Sequence, residues 1–171
     1  MKEALVVTDM QNDFTYGALR NEDAIKIIPK IKTLIENAIK NNIDIYFTLD
    51  THNNNYLNTK EGKNLPIVHC IKGTKGHEVV DELKQYLKNA KAIIEKNAFG
   101  SLDLPKYIGD YDKVTFVGTC TDICVISNVF IAKAFYPEKE YVVISDACAG
   151  VTKEPHNFAL NAMKSCYIKI T

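Results

Sequence analysis

Apolar residues fall into two kinds of pattern along this chain. ALVVTD (4–9), IDIYFTLD (43–50), KAIIEK (91–96), DKVTFVG (112–118) and EYVVISDA (140–147) are short, nearly unbroken runs. Their length and β-branched content predict strands buried on both faces. Between them, apolar residues recur at helical spacing. In NEDAIKIIPKIKTLIENAIKNN (21–42) these are Ile25, Ile28, Ile31, Leu34, Ile35, Ala38 and Ile39. Pro29 divides a short first turn or helix from the main one. GHEVVDELKQYLKN (76–89), the segment from the cysteines to about Phe135, and KEPHNFALNAMKSC (153–166) read as further helices. YIKI (167–170) reads as a last short strand, and residues 51–75 form a long polar stretch. Strand and helix alternate throughout. That order predicts an α/β fold, a three-layer doubly wound sheet of about six mainly parallel strands with helices on both faces. The length predicts a single domain over residues 1–171.

The exceptions to the apolar pattern share a position. Asp9, Asp50, Lys96, the Cys120/Cys124 pair and Asp146 all fall at or just past the carboxyl end of a predicted strand. In open α/β sheets that edge binds ligands, most often where the strand order reverses. If the first three strands run outward one way and the later ones the other, strands one and four are neighbours. Asp9 then faces Cys124, with Lys96 nearby. Singly, each has an ordinary explanation: a turn cap, a solvated lysine, a packing cysteine. Together they make a chemical set. A helix N-terminus and an ammonium group lower a thiol's pKa. A carboxylate takes and returns the proton. Backbone N–H groups around Cys120 and Cys124 are placed to hold an oxyanion.

Charge and composition narrow the classes. Lys+Arg and Asp+Glu number 21 each, which gives no basic face for nucleic acid or a membrane surface. No apolar run approaches membrane-spanning length. Five cysteines, an odd number, predict free thiols and a cytoplasmic setting. Cys120 and Cys124 are also compatible with a reversible thiol pair.

Three segments carry a resemblance. TDMQNDF (8–14), EKNAFGS (95–101) and GTCTDICV (118–125) resemble, in order, the signature segments of the isochorismatase-like cysteine hydrolases. The resemblance implies a Rossmann-like topology, with Asp9 as general base, Lys96 as its cationic partner and Cys124 as nucleophile. It implies a cis peptide before Cys120, whose N–H then joins that of Cys124 at the oxyanion. It also implies that Phe14 stacks on a substrate ring.

DTHNNNYLNTKEGKNLPIVHC (50–70) bears on the substrate. Asp50, His52 and His69 are a carboxylate and two imidazoles, a set that suits zinc, iron or manganese. Within the family, nicotinamidases carry Asp-x-His and a later His preceded by Pro, here Pro66. Where many of them have a further histidine this chain has Asn58, and Leu65 stands where Trp is usual. The resemblance implies Glu61 as the remaining ligand. The expected function is therefore a nicotinamidase that forms a thioester on Cys124 and holds one divalent transition metal, zinc foremost, on Asp50, His52, Glu61 and His69. Its partners would be a small-molecule amide and further copies of itself. The alternatives are a hydrolase of another small amide, a carbamoyl or ureido compound or a vinyl ether, a catalytically silent binding subunit, or a thiol redox protein.

Overall fold

A computed structural model describes residues 1–171. In chain order the elements are β1 (Glu3–Thr8), α1 (Asn12–Thr15), α2 (Glu22–Lys26), α3 (Ile28–Lys40), β2 (Asp44–Asp50), α4 (Lys60–Asn64) and α5 (Asp81–Lys84). They continue as β3 (Ala90–Lys96), α6 (Leu104–Ile108), β4 (Lys113–Thr119), α7 (Ile126–Phe135), β5 (Glu140–Ala149), α8 (Lys153–Ser165) and β6 (Lys169–Ile170). The six strands form one sheet in the order β3-β2-β1-β4-β5-β6. Every pairing is parallel. The order reverses between β1 and β4, so their carboxyl ends flank the crevice expected from the sequence.

The unbroken apolar runs follow from burial on both faces. Along β1, Leu5 and Val7 join Ile45 and Phe47 of β2 under α3. Ala4 and Val6 point the other way and pack with Tyr46, Phe116, Val129 and Met163 under α7 and α8. Alternate residues thus feed two cores, and both faces of the strands are mainly apolar. Helix α3 presents Ile28, Ile31, Ile35 and Ala38 to the first core. Pro29 lies in its first turn, where a missing N–H costs nothing. The Asn21 side chain caps α2 by accepting from the N–H groups of Asp23 and Ala24.

The structure corrects the pattern in several places. Residues 76–89 are not one helix. They form a 3-10 turn (Lys75–His77), an extended stretch, the short α5 and a second 3-10 turn (Gln85–Asn89). The cause is a long-range pairing. Val79 bridges Gln11 in antiparallel fashion, and the N–H groups of Asn12 and Val80 donate to Glu78 O and Met10 O. The polar stretch 51–75 carries a 3-10 turn (Tyr56–Asn58) and α4, capped by Thr59. Strand β6 is shorter than the run 167–170, because Tyr167 adopts a positive φ of 62° and turns the chain.

Gly118, in β4 beside Thr8 of β1, has φ 118°. A Cβ there would lie 2.1 Å from Thr8 O. Gly73 also has positive φ, 85°, but nothing within 4 Å of the same position. Gly73→Ala should therefore cost only backbone strain, roughly 1–3 kcal/mol. Gly118→Ala adds a backbone clash at the centre of the sheet and should cost clearly more. Urea unfolding midpoints of the two variants check this; equal losses would show that the close approach of β1 and β4 is relaxed at no cost.

Candidate active site

Four strand ends supply the cleft. Lys96, the last residue of β3, is 6 % exposed. Its Nζ lies 2.6 Å from Asp9 Oδ2, just past β1, and 3.7 Å from Asp50 Oδ1, at the end of β2. The same Nζ is 3.5 Å from Cys124 Sγ and donates to Ala98 O at 3.1 Å. The second Asp9 oxygen accepts from Thr48 Oγ1 at 2.6 Å. Asp9, Lys96 and Cys124 are thus together, as the sequence predicts.

Burial sets their protonation. It works against the Lys96 ammonium, yet Asp9, Cys124 and Asp50 hold its pKa above the usual lysine value. Burial raises the Asp9 carboxyl above the ordinary carboxylate range, against the pull of Lys96. The Cys124 thiol is pushed well up, by burial first and by the Asp9 carboxylate second, while Lys96 pulls it down. This corrects the expectation of a thiol pKa lowered by a helix N-terminus and an ammonium. Loss of solvent and the nearby carboxylate outweigh the ammonium, so the resting thiol keeps its proton.

The chain around Cys124 is built for close approach. Strand β4 runs through Gly118 into a cis peptide at Thr119–Cys120. A π-helical turn, Thr121–Val125, then carries Cys124 and precedes α7. Cys124 therefore sits in a widened turn rather than in the first turn of an α-helix. The N–H groups of Ile123 and Val125 both donate to Cys120 O, whereas the Cys120 N–H has no backbone acceptor. Asp146 does not join the site. It is exposed within β5 and pairs with Lys30 Nζ at 2.9 Å.

Beside this group Asp50, His52, Glu61 and His69 each offer a ligand atom, all within 4.8 Å of one another. His52 Nε2 is 3.0 Å from Asp50 Oδ2 and 3.6 Å from Glu61 Oε1. His69 Nε2 is 3.5 Å and 3.7 Å from the same two oxygens. His69 Nδ1 lies 2.7 Å from Ile67 O. A carbonyl only accepts, so Nδ1 carries a proton and Nε2 is the ring nitrogen turned to the carboxylates. His52 Nε2 is buried without a well-formed hydrogen bond. Burial opposes charge on His52, but Asp50 and Glu61 push its pKa up to about 9. A place that draws a proton this strongly, with two imidazoles and two carboxylates converging, fits a divalent transition metal.

Several positioning residues were not singled out from sequence. Gln11 holds the Asp50 backbone from both sides, accepting from its N–H and donating to its C=O, each at 2.8 Å. The Asp13 carboxylate accepts from the Cys70 N–H at 2.7 Å and anchors the end of the 50–70 segment. The Tyr56 ring packs 4.7 Å from His52 and 4.9 Å from His69, centroid to centroid. Thr48 had a signal, being a hydroxyl inside the apolar run IDIYFTLD. Phe14 is where the resemblance implies, lining the cleft with its ring edge-on to His69 at 5.7 Å. The cleft has a volume of about 700 Å³, and Cys120 and Cys124 open into it.

Known proteins share this fold over the whole chain. The chain is similar to a pyrazinamidase of Pyrococcus horikoshii solved in complex with zinc, with 32% identity, a TM-score of 0.87 and coverage of 100% of this chain and 99% of that one. It is similar to a nicotinamidase/pyrazinamidase from Bacillus subtilis, with 28% identity, a TM-score of 0.89 and full coverage of both chains. A pyrazinamidase/nicotinamidase from Streptococcus mutans shows 27% identity, a TM-score of 0.88 and coverage of 99% and 100%. No curated protein sequence matches. The isochorismatase domain model matches residues 3–171. The chain belongs to the isochorismatase family.

Proposed function

We propose that this protein is a cysteine-dependent amidohydrolase whose substrate is nicotinamide, converted with water to nicotinate and ammonia. The observation that carries the reading is the contact of Lys96 with Asp9 and Cys124 beside the converging donors of Asp50, His52, Glu61 and His69. The similar proteins named above as nicotinamidases and pyrazinamidases support it.

The chemistry follows from the protonation states. The resting Cys124 thiol needs a base, and Asp9 is that base. As the thiol proton passes to Asp9, the thiolate attacks the carboxamide carbon, with Lys96 steadying the negative charge. The carbonyl oxygen becomes an oxyanion held by the Cys120 N–H, free in the resting site, and by that of Cys124. Asp9 returns the proton to the departing ammonia and a thioester remains. Water then attacks the thioester while Asp9 takes its proton. The acid leaves and the thiol is restored. Thr48 ties up one Asp9 oxygen and leaves the other for this exchange. Phe14 lines the cleft and stacks on the substrate ring. Asp50, His52, Glu61 and His69 would hold the metal, with zinc favoured over iron and manganese. When bound, the ion would supply a Lewis-acidic centre for the ring nitrogen and for water.

Purified protein should release ammonia from nicotinamide and pyrazinamide, and from benzamide at least about tenfold more slowly in kcat/KM, since benzamide lacks the ring nitrogen. Cys124→Ala should lose roughly three orders of magnitude or more. An active alanine variant would remove Cys124 from the mechanism. If no aromatic amide reacts while a carbamoyl or ureido compound does, the hydrolase chemistry stands and nicotinamide is the wrong substrate.

Elemental analysis should find about one transition-metal ion per chain, lost in His52→Ala. An equal metal content in the variant would place the ion elsewhere.

Thr48→Val tests the base. The hydroxyl donates to the ionised carboxylate, so its removal raises the Asp9 pKa further. Activity needs ionised Asp9 and is lost as pH falls through that pKa. The acidic limb of the kcat/KM profile should therefore move to higher pH in Thr48→Val and return in Thr48→Ser. An unmoved limb with reduced activity would assign Thr48 a packing role only.

A further inference from the structure

The cleft above Cys124 is larger than a single-ring amide requires. Its volume is about 700 Å³. A single-ring carboxamide has about nine non-hydrogen atoms, each taking less than the ~30 Å³ share of a liquid water, so it fills less than about 270 Å³. More than half of the cleft lies beyond it.

Burial and residue type show the character of the remainder. The floor is buried and polar: Asp50, His69 and Cys124 are 3 %, 2 % and 6 % exposed. The other walls include Leu19, Leu65 and Ile123. Phe99 and Val151 also line the cleft and are 47 % and 54 % exposed, which sets them at the mouth. The polar residues that share these walls have little to offer a ligand. Arg20 is neutralised by Glu22, with Nη2 and Oε1 2.7 Å apart. The Asn21 side chain donates to Gly150 O and accepts from the N–H groups of Asp23 and Ala24. The outer cleft is therefore mainly apolar, and its one ion pair leaves it without a net charge.

We propose that this outer region is a subsite for an apolar alkyl or aryl substituent on the ring of the amide substrate. The preferred substrates are then ring-substituted heteroaromatic carboxamides larger than nicotinamide itself. The proposal rests on the amidohydrolase reading above. A substituent seated there covers Phe99 and Val151 and displaces water that has no good partner, so the gain comes from apolar burial. Each methylene removed from water is worth about fourfold in binding.

The test uses the whole protein and a set of nicotinamides carrying butyl or phenyl at each free ring carbon in turn, with carboxymethyl at the same positions as the charged control. At one position or more, butyl and phenyl should raise kcat/KM at least about tenfold over nicotinamide, and carboxymethyl should not. Val151→Ser, a change at an exposed residue, should reduce the ratio of substituted to parent kcat/KM by about threefold or more. Phe99→Ser should do the same, and circular dichroism would check that both variants are folded. If nicotinamide is cleaved but every substituent lowers kcat/KM, the subsite is overturned and the amidohydrolase reading stands. A loss with butyl and phenyl that deepens as protein concentration rises also overturns it, and shows that a second copy covers the mouth. If neither nicotinamide nor any derivative reacts, both proposals fall together.

Discussion

An ammonium group buried at the carboxyl edge of the sheet governs what surrounds it. Lys96 has almost no access to solvent, and an isolated charge there would cost several kcal/mol. It is held because Asp9 and Asp50 both face it. Two carboxylates against one ammonium leave negative charge in excess, and the imidazoles of His52 and His69 lie on its far side. Asp50 joins the two centres. One of its oxygens faces Lys96 and the other faces both histidines. The proposed nucleophile and the donor cluster therefore share one electrostatic balance, and a change of charge in either is felt in the other.

The strand-end chemistry was readable because parallel sheets enforce it. Apolar runs buried on both faces must shed their polar residues at the ends, so Asp9, Asp50, Lys96 and the cysteines mark the sheet edge. The reversal of strand order then brings the ends of β1 and β4 side by side. Asp146 looked equivalent in sequence and was not. A register irregularity between β4 and β5 lets β5 run on to Ala149, so Asp146 lies within the strand and faces solvent.

What was not legible is non-local. Residues 76–89 have helical spacing, but pairing with residues 10–12 breaks the helix, and a periodicity argument does not see a partner so far away in the chain. Protonation was misjudged for a similar reason. The sequence showed a helix and a lysine near Cys124, whereas the depth of burial depends on the whole fold. Gln11 and Asp13 lie inside a segment already marked for chemistry, yet their work is to hold backbone groups of β2 and of the 50–70 loop.

The supports of the two centres differ in origin. Asp9, Lys96 and Cys124 follow or end three different strands, β1, β3 and β4, so their positions are tied to the sheet. His52, Glu61 and His69 belong to a single connection between β2 and α5, pinned by Asp13, Gln11 and Tyr56. Exchange of that one connection would replace three of the four proposed metal donors and leave the proposed nucleophile, base and lysine on their strand ends. The two centres thus rest on different supports: an insertion or deletion between residues 51 and 75 displaces His52, Glu61 and His69 directly and is transmitted to the strand-end groups through Asp50.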